Sequence, residues 1–234
     1  MRSITGYIGS HSTVNHKLSR SDLPFDFNQY GERQASLYPG VERIVFDVRL
    51  NKNRAVLVFA GPNGVGKTAI AHHFPVSGTY VNADDLKREE YNLTDLEAAQ
   101  QAEALRNNLL DTGEDFTFET VLSTERNLLL MQKAKALGYE VRCIYVLTID
   151  ENINIARVKE RHASGGHDVP EDKIRSRYRK ALGLIPEVAA VCDIFFLYDN
   201  SVRPTLVFSK EYQESRVFPN YRWPETELKK LLGM

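Results

Sequence analysis

From residue 55 onward the chain alternates short, uniformly apolar runs with longer segments whose apolar positions recur every three or four residues. Ala55-Val-Leu-Val-Phe-Ala60 is apolar throughout and is stopped by Gly61-Pro62. A strand buried on both faces of a parallel sheet requires such a run. Runs at 79–82, 116–120, 141–148 and 193–198 predict further strands. Between them the spacing predicts helices, the first from about Gly66 to a point before Pro75. The next covers 94–111 on Leu96, Ala99, Ala102, Leu105 and Leu109, with Thr94 and Glu97 as a capping box. Others run over 124–137, ended by Gly138, from an Asp150 cap to Ala163, and over 171–182. Residues 205–218 predict a terminal hairpin. Strands alternating with helices make βαβ units, so the expected class is α/β: a three-layer sandwich with a mostly parallel sheet of about five strands and helices on both faces.

Residues 1–40 break this pattern. Ser, Asn, His, Gly and Tyr dominate, apolar residues have no period, and Pro24, Pro39 and Gly40 punctuate the stretch. They are expected to form an irregular N-terminal extension to a domain over 41–234. Within that domain, 41–52 fits a lead-in strand or a short amphipathic helix. Apolar residues make up 42% of the 234 and charged residues 26%, as in a globular domain. With 30 Lys and Arg against 31 Asp and Glu, the net charge of −1 argues against a globally basic nucleic-acid binder. No run reaches membrane-spanning length, and no apolar h-region follows Met1-Arg2, so the expected location is cytoplasmic. Cys143 and Cys192 lie in apolar surroundings and read as buried thiols.

The chemistry concentrates in Gly61-Pro62-Asn63-Gly64-Val65-Gly66-Lys67-Thr68, a complete G-x-x-x-x-G-K-[ST] motif between a strand and a helix. Its glycines let successive N–H groups converge on a polyphosphate, and the helix that follows adds its positive end. Lys67 is expected at the β- and γ-phosphates and Thr68 on Mg²⁺, which makes the fold a P-loop NTPase; the motif alone does not choose among GTPase, motor ATPase and kinase, and ATP is the expected donor of the kinase reading. Asn51-Lys52 lacks the Asp of a guanine-reading motif. Asp150-Glu151 looks like the acid pair of a motor ATPase but sits where a helix cap belongs. A kinase of small substrates needs a carboxylate at the acceptor hydroxyl, a metal-side acid and an arginine-bearing lid. Asp84 follows the second strand, where parallel strands present their ligands, and suits the base. Asp85 is the weaker alternative, and either residue has the competing role of helix cap. Glu119 ends the third strand on the same edge. Arg157 and Arg161 share a helical face leading into Gly165-Gly166, Arg157 for the nucleotide and Arg161 for the phosphates. In the next helix Arg175 and Arg179 are expected to flank the buried stripe of Ile174, Tyr178 and Ala181 or Leu182, with Arg177 pointing elsewhere.

In order along the chain, the P-loop, Asn82-x-Asp84-Asp85, Phe118-Glu119-Thr120, Arg157-x-x-x-Arg161 and Gly165-Gly166-His167-Asp168-Val169-Pro170 resemble the zeta-toxin family of P-loop kinases, most of all its shorter, predicted-ATPase branch. The likeness spans about 55–200. It implies phosphorylation of a small hydroxyl-bearing substrate, in the studied toxins the 3′-hydroxyl of the sugar nucleotide UDP-N-acetylglucosamine, and an antitoxin protein as partner. It carries the base onto Asp84, the substrate-orienting acid onto Glu119 and the phosphate lysine onto Lys67. The toxins' second lid arginine has no clean counterpart: His167 falls near it by register, and Arg175 is the expected replacement. The long insertions of the larger toxins are not evident. Two alternatives remain at this stage. One is a nucleotide-dependent binding module or ATPase switch that docks a partner through 1–40. The other, prompted by Arg175, Arg177, Arg179 and Lys180, is a nucleic-acid 5′-hydroxyl kinase.

Overall fold

The computed structural model describes residues 54–89, 93–166 and 168–234, and the readings made for 1–40, 41–52 and His167 lie outside the described residues. The apolar run Ala55–Ala60 forms β1, every residue of it buried. Side chains alternate along a strand, so one apolar run supplies two cores. Leu57 and Phe59 join Val65, Ile70 and Phe74 on one face. Val56, Val58 and Ala60 join Phe118, Tyr145 and Leu197 on the other. The first face is covered by α1 (Lys67–Ala71). The second is covered by α3 (Asp95–Thr112), α4 (Glu125–Ala136), α7 (Ile185–Val191) and α8 (Glu225–Leu232). Helices therefore flank the sheet on both faces, as expected.

The strands are β1, β2 (Thr79–Val81), β3 (Phe116–Thr120), β4 (Glu140–Leu147), β5 (Ile194–Asp199), β6 (Thr205–Glu211) and β7 (Glu214–Val217). They lie in the order β2-β3-β1-β4-β5-β6-β7. Every pairing from β2 to β5 is parallel. The expectation of about five strands beside a separate hairpin is corrected: β6 pairs antiparallel with β5, and β7 with β6, so the hairpin extends one sheet to seven strands. β2 and β3 lie on one side of β1 and β4 and β5 on the other, and where the strand order reverses the carboxyl ends of the strands open a crevice.

Local signals behave as the chain predicts in the long helices. Thr94 opens α3 with its side chain on the Glu97 amide, and Glu97 returns to the Thr94 amide, a complete capping box. Asp150 caps α5 (Glu151–Ala163) by accepting from the Asn152 amide at 2.8 Å, so it is a cap and not the end of a motor-type strand. Beyond it, α6 (Glu171–Gly183) packs on α5 through Ile155, Val158, Val169 and Ile174. Both cysteines are buried free thiols in the larger core. No helix among the described residues is long and apolar enough to cross a membrane.

Candidate active site

The P-loop bends where its glycines allow. Gly61 has φ 138°, and a Cβ there would sit 2.0 Å from the carbonyl oxygen of Val146 in β4. Gly66, at φ 88°, is the residue before α1, and a Cβ would approach the Asn200 amide nitrogen to 2.7 Å. Only glycine meets both constraints without displacing its neighbours. The loop is tied down from three sides. Gly61 N–H donates to the Thr120 carbonyl (3.2 Å), Asn200 Nδ2 donates to the Val65 carbonyl (2.7 Å), and Arg177 Nη1 donates to Asn63 Oδ1 (3.3 Å).

Lys67 Nζ curls back onto its own loop, donating to the carbonyls of Gly61 (2.8 Å) and Pro62 (3.1 Å). Burial pushes its pKa down to about 8, opposed by Glu119 and Asp84 and reinforced by Arg161. Next to it, Thr68 Oγ1 donates to Glu119 Oε2 at 3.1 Å. The other Glu119 oxygen accepts from the Tyr80 hydroxyl, whose pKa is raised chiefly by burial and then by that bond. A hydroxyl and a carboxylate so placed at the foot of a phosphate loop match a Mg²⁺ ion that takes its remaining ligands from phosphates and water. Among the described residues no group of three or more His, Cys, Asp or Glu could hold a metal ion on its own.

Asp84 stands at the start of α2 (Ala83–Glu89). The helix begins at Ala83 because Asn82, not an aspartate, caps it: Asn82 Oδ1 accepts from the Asp84 amide at 3.0 Å. Asp84 is thereby left exposed, with its carboxylate free of capping duty. Asp85 turns away and pairs with Arg88.

The P-loop, Thr68, Asp84, Glu119, Arg157 and Arg161 all line one cavity of about 610 Å³. Six cations surround it, Lys67, Lys87, Arg106, Arg157, Arg161 and Arg177, against the carboxylates Asp84, Asp95 and Glu119. That excess of positive charge suits a polyanion. Arg157 donates through Nη2 to the Ser201 carbonyl (3.2 Å), while its buried Nη1 has no hydrogen-bond partner, an unmet donor on the cavity wall.

Arg175 is the correction among the candidates. It does not line the cavity; its guanidinium is held by Glu151 (2.9 Å), Asn152 (3.0 Å) and Glu171 (2.8 Å), pinning α6 to the start of α5. Arg179 joins the same Glu151 at 3.0 Å. Arg177, expected to point elsewhere, is the arginine of α6 that reaches the P-loop. Tyr80, Arg106, Asn127 and Asn200 touch the same residues or cavity and belong to no motif in the sequence. Asn127 Nδ2 donates to Thr120 Oγ1 (2.7 Å), bracing the turn after β3, where Leu122 takes a left-handed φ of 51°.

Against known proteins, residues 45–201 match the Zeta toxin family. An uncharacterized protein of Haemophilus influenzae is 29% identical over 133 residues, 54% of this chain and 94% of that protein. Among solved structures, the AvrRxo1-ORF1:-ORF2 complex with ATP has a TM-score of 0.60 at 16% identity, covering 88% of this chain and 70% of that one. The PezAT toxin-antitoxin system of Streptococcus pneumoniae has a TM-score of 0.49 at 16% identity, covering 89% and 94%. Identities this low speak to the fold alone. With a family match over two-thirds of its length, the chain belongs to the Zeta toxin family.

Proposed function

We propose that the protein is a kinase that transfers the γ-phosphoryl group of ATP to a hydroxyl of a small molecule. The observation that carries this reading is that one cavity holds both a phosphate cradle and, across from it, the exposed carboxylate of Asp84. A phosphate loop alone would serve any nucleotide-binding protein. A loose carboxylate facing it supplies the part a transfer reaction needs.

The reaction is written for this chain's own groups. Backbone amides of 61–68 and Lys67 hold the β- and γ-phosphates, and Lys67 exchanges its bonds to the Gly61 and Pro62 carbonyls for phosphate oxygens. Asp84 orients the acceptor hydroxyl and takes its proton as the new oxygen–phosphorus bond forms. The bond between the γ-phosphorus and the β,γ-bridging oxygen breaks, and its electron pair leaves with ADP. Arg157 and Arg161 face the charge that spreads over the transferring oxygens. Thr68 and Glu119 are the groups that would hold Mg²⁺, and such an ion neutralises phosphate charge when bound. Glu119 is fixed between Thr68 and Tyr80, so its carboxylate is oriented before substrate arrives. The AvrRxo1 complex solved with ATP and the family itself support ATP as donor. The family likewise supports a sugar nucleotide such as UDP-N-acetylglucosamine as acceptor and an antitoxin protein as partner.

The test is Asp84→Asn with γ-labelled ATP and a metabolite extract. The variant is expected to keep its nucleotide Kd within about twofold while label transfer falls about 10²- to 10⁴-fold. Lys67→Ala is expected to weaken both. Transfer by Asp84→Asn at the parent rate would remove Asp84 from the reaction.

A further inference from the structure

The Glu119 carboxylate is held from two sides, and the two holds are unequal. Thr68 Oγ1 reaches Oε2 from α1 at 3.1 Å, in a bond open to the cavity. The Tyr80 hydroxyl reaches Oε1 from β2, in a partly buried bond. Strand register makes the second bond possible: Tyr80 stands opposite Thr117 across the β2–β3 ladder, and Glu119 lies two residues further along the same face. Tyr80 is not among the residues that line the nucleotide cavity. With Asn82, Asp85, Leu86 and Arg88 it lines a separate space of about 500 Å³ beside the edge of the sheet. What Tyr80 does to a bound nucleotide it therefore does through Glu119.

The direction of these hydrogen bonds carries the chemistry. A carboxylate only accepts, so both hydroxyls must donate to it. With its single proton committed to Glu119, the Thr68 oxygen presents only lone pairs to the cavity, and oxygen lone pairs are what a hard cation takes. Were Glu119 to turn away, the Thr68 proton would be free to point at a phosphate oxygen instead. Glutamate is among the side chains with the most rotamer freedom to lose, and a single bond within reach of water contributes little toward holding it. The sheltered bond from a ring fixed on the sheet is the stronger restraint. Burial, then the bond to Glu119, raises the Tyr80 pKa, so the phenol stays a donor at neutral pH.

We propose that Tyr80 is the positioning residue of the metal site: by fixing Glu119 it keeps the Thr68 lone pairs turned to the cavity and so sets the affinity of the nucleotide complex for a divalent cation. This rests on the reading that Thr68 and Glu119 hold Mg²⁺. Groups that orient a metal's ligands contribute about 10- to 100-fold to its affinity.

Mn²⁺ is the probe, because the unbound ion is counted by its spin resonance. The full chain, in excess over a non-hydrolysable ATP analogue, is titrated with Mn²⁺, so no turnover is needed. Tyr80→Phe keeps the ring and removes the hydroxyl. It is expected to raise the Mn²⁺ Kd about tenfold or more, while the analogue Kd measured in a chelator stays within about twofold. Its melting temperature is expected to fall by no more than about 4 °C. Glu119→Ala is expected to raise the Mn²⁺ Kd at least as far, and Tyr80→Phe added to it to change that Kd less than about twofold, since the tyrosine acts through that carboxylate. A parental Mn²⁺ Kd in Tyr80→Phe overturns the proposal, as does an undiminished effect of Tyr80→Phe in the Glu119→Ala background. A parental Mn²⁺ Kd in Glu119→Ala overturns it whether or not the tyrosine variant folds. Analogue uptake without Mn²⁺ uptake by the parent sinks the magnesium reading and takes this one with it.

Discussion

Burial against the loop carbonyls lowers the Lys67 pKa to about 8, with Glu119 and Asp84 working in the opposite direction and Arg161 in the same one. Phosphate binds the ammonium and not the amine, and bound phosphate raises the pKa by adding negative charge beside it. The protonated form is therefore the competent one, and it is depleted as pH rises through 8. Nucleotide Kd is expected to be flat between pH 6.5 and 7, to double at about pH 8 and to rise by about tenfold at pH 9. Calorimetric titrations across that range check it, since the ATP phosphates are already fully ionised above pH 8. A Kd unchanged to pH 9.5 would show that Lys67 keeps its charge in the free protein. Single residues were also the scale at which the sequence was most informative. Lys67, Thr68, Asp84, Glu119, Arg157 and Arg161 were singled out because each follows a strand end or lies within a spaced motif, and the fold brings these candidates to one cavity. Tyr80 and Asn200 were not, since their importance comes from what the fold brings against them: Glu119 and the Val65 carbonyl.

Helix phase decides which arginine of α6 belongs to the site. At about 100° per residue, Arg177 lies about 60° from Ile174 and falls beside the buried stripe of Ile174, Tyr178 and Ala181, while Arg175 lies about 100° round and Arg179 farther still. Ile174 and Tyr178 alone leave Arg175 and Arg177 equally far to either side; the full burial of Ala181 tips the stripe toward Arg177, and the sequence left Ala181 and Leu182 as alternatives. Separate roles follow for the two side chains. Arg177→Ala is expected to weaken nucleotide binding about tenfold with little change in melting temperature. Arg175→Ala, which removes the ties from α6 to Glu151 and Asn152, is expected to lower the melting temperature and raise proteolysis at the α5–α6 connection, with nucleotide Kd changed less than about threefold. Parallel calorimetry and thermal melts compare them, and equal effects on Kd would refute the assignment. Two whole helices were missed for different reasons. Within α7, seven residues and an early Pro186 give too few turns for a period to show. In α8 the signals were present, Pro224 before the first turn and Gly233 in left-handed conformation after the last. The hairpin was legible from its spacing, but its membership of the main sheet was not, because a pairing between β5 and β6 is a property of two strands.

The molecule as a whole converges on Asp199, the last residue of β5, and the two residues that follow it, and they couple the carboxyl-terminal segment to the phosphate loop. Asp199 is fully buried and accepts from Arg222 Nε at 2.8 Å. Asn200 holds the Val65 carbonyl of the P-loop at 2.7 Å. Ser201 accepts from Arg157 through its carbonyl at 3.2 Å and receives the Ile149 amide on its hydroxyl at 2.8 Å. One short stretch thus joins the segment before α8, the phosphate loop, helix α5 and the turn leading into it. Arg222 touches none of the cavity, yet it neutralises the carboxylate on which this stretch turns. Arg222→Met leaves a buried charge unpaired, at a cost of about 2–3 kcal/mol, discounted because the arginine keeps partial contact with water. For a chain of this size that lowers the melting temperature by about 5–10 °C. The displaced Asp199 also loosens Asn200 and Ser201, so nucleotide Kd at 20 °C, where the variant remains folded, is expected to rise several-fold. Asp199→Asn combined with Arg222→Met removes the unpaired charge and is expected to recover much of both losses. Scanning calorimetry and nucleotide titration of the single and double variants read the coupling directly. A single variant that melts early but binds nucleotide as the parent does would show that the carboxyl-terminal segment stabilises the fold without supporting the phosphate loop.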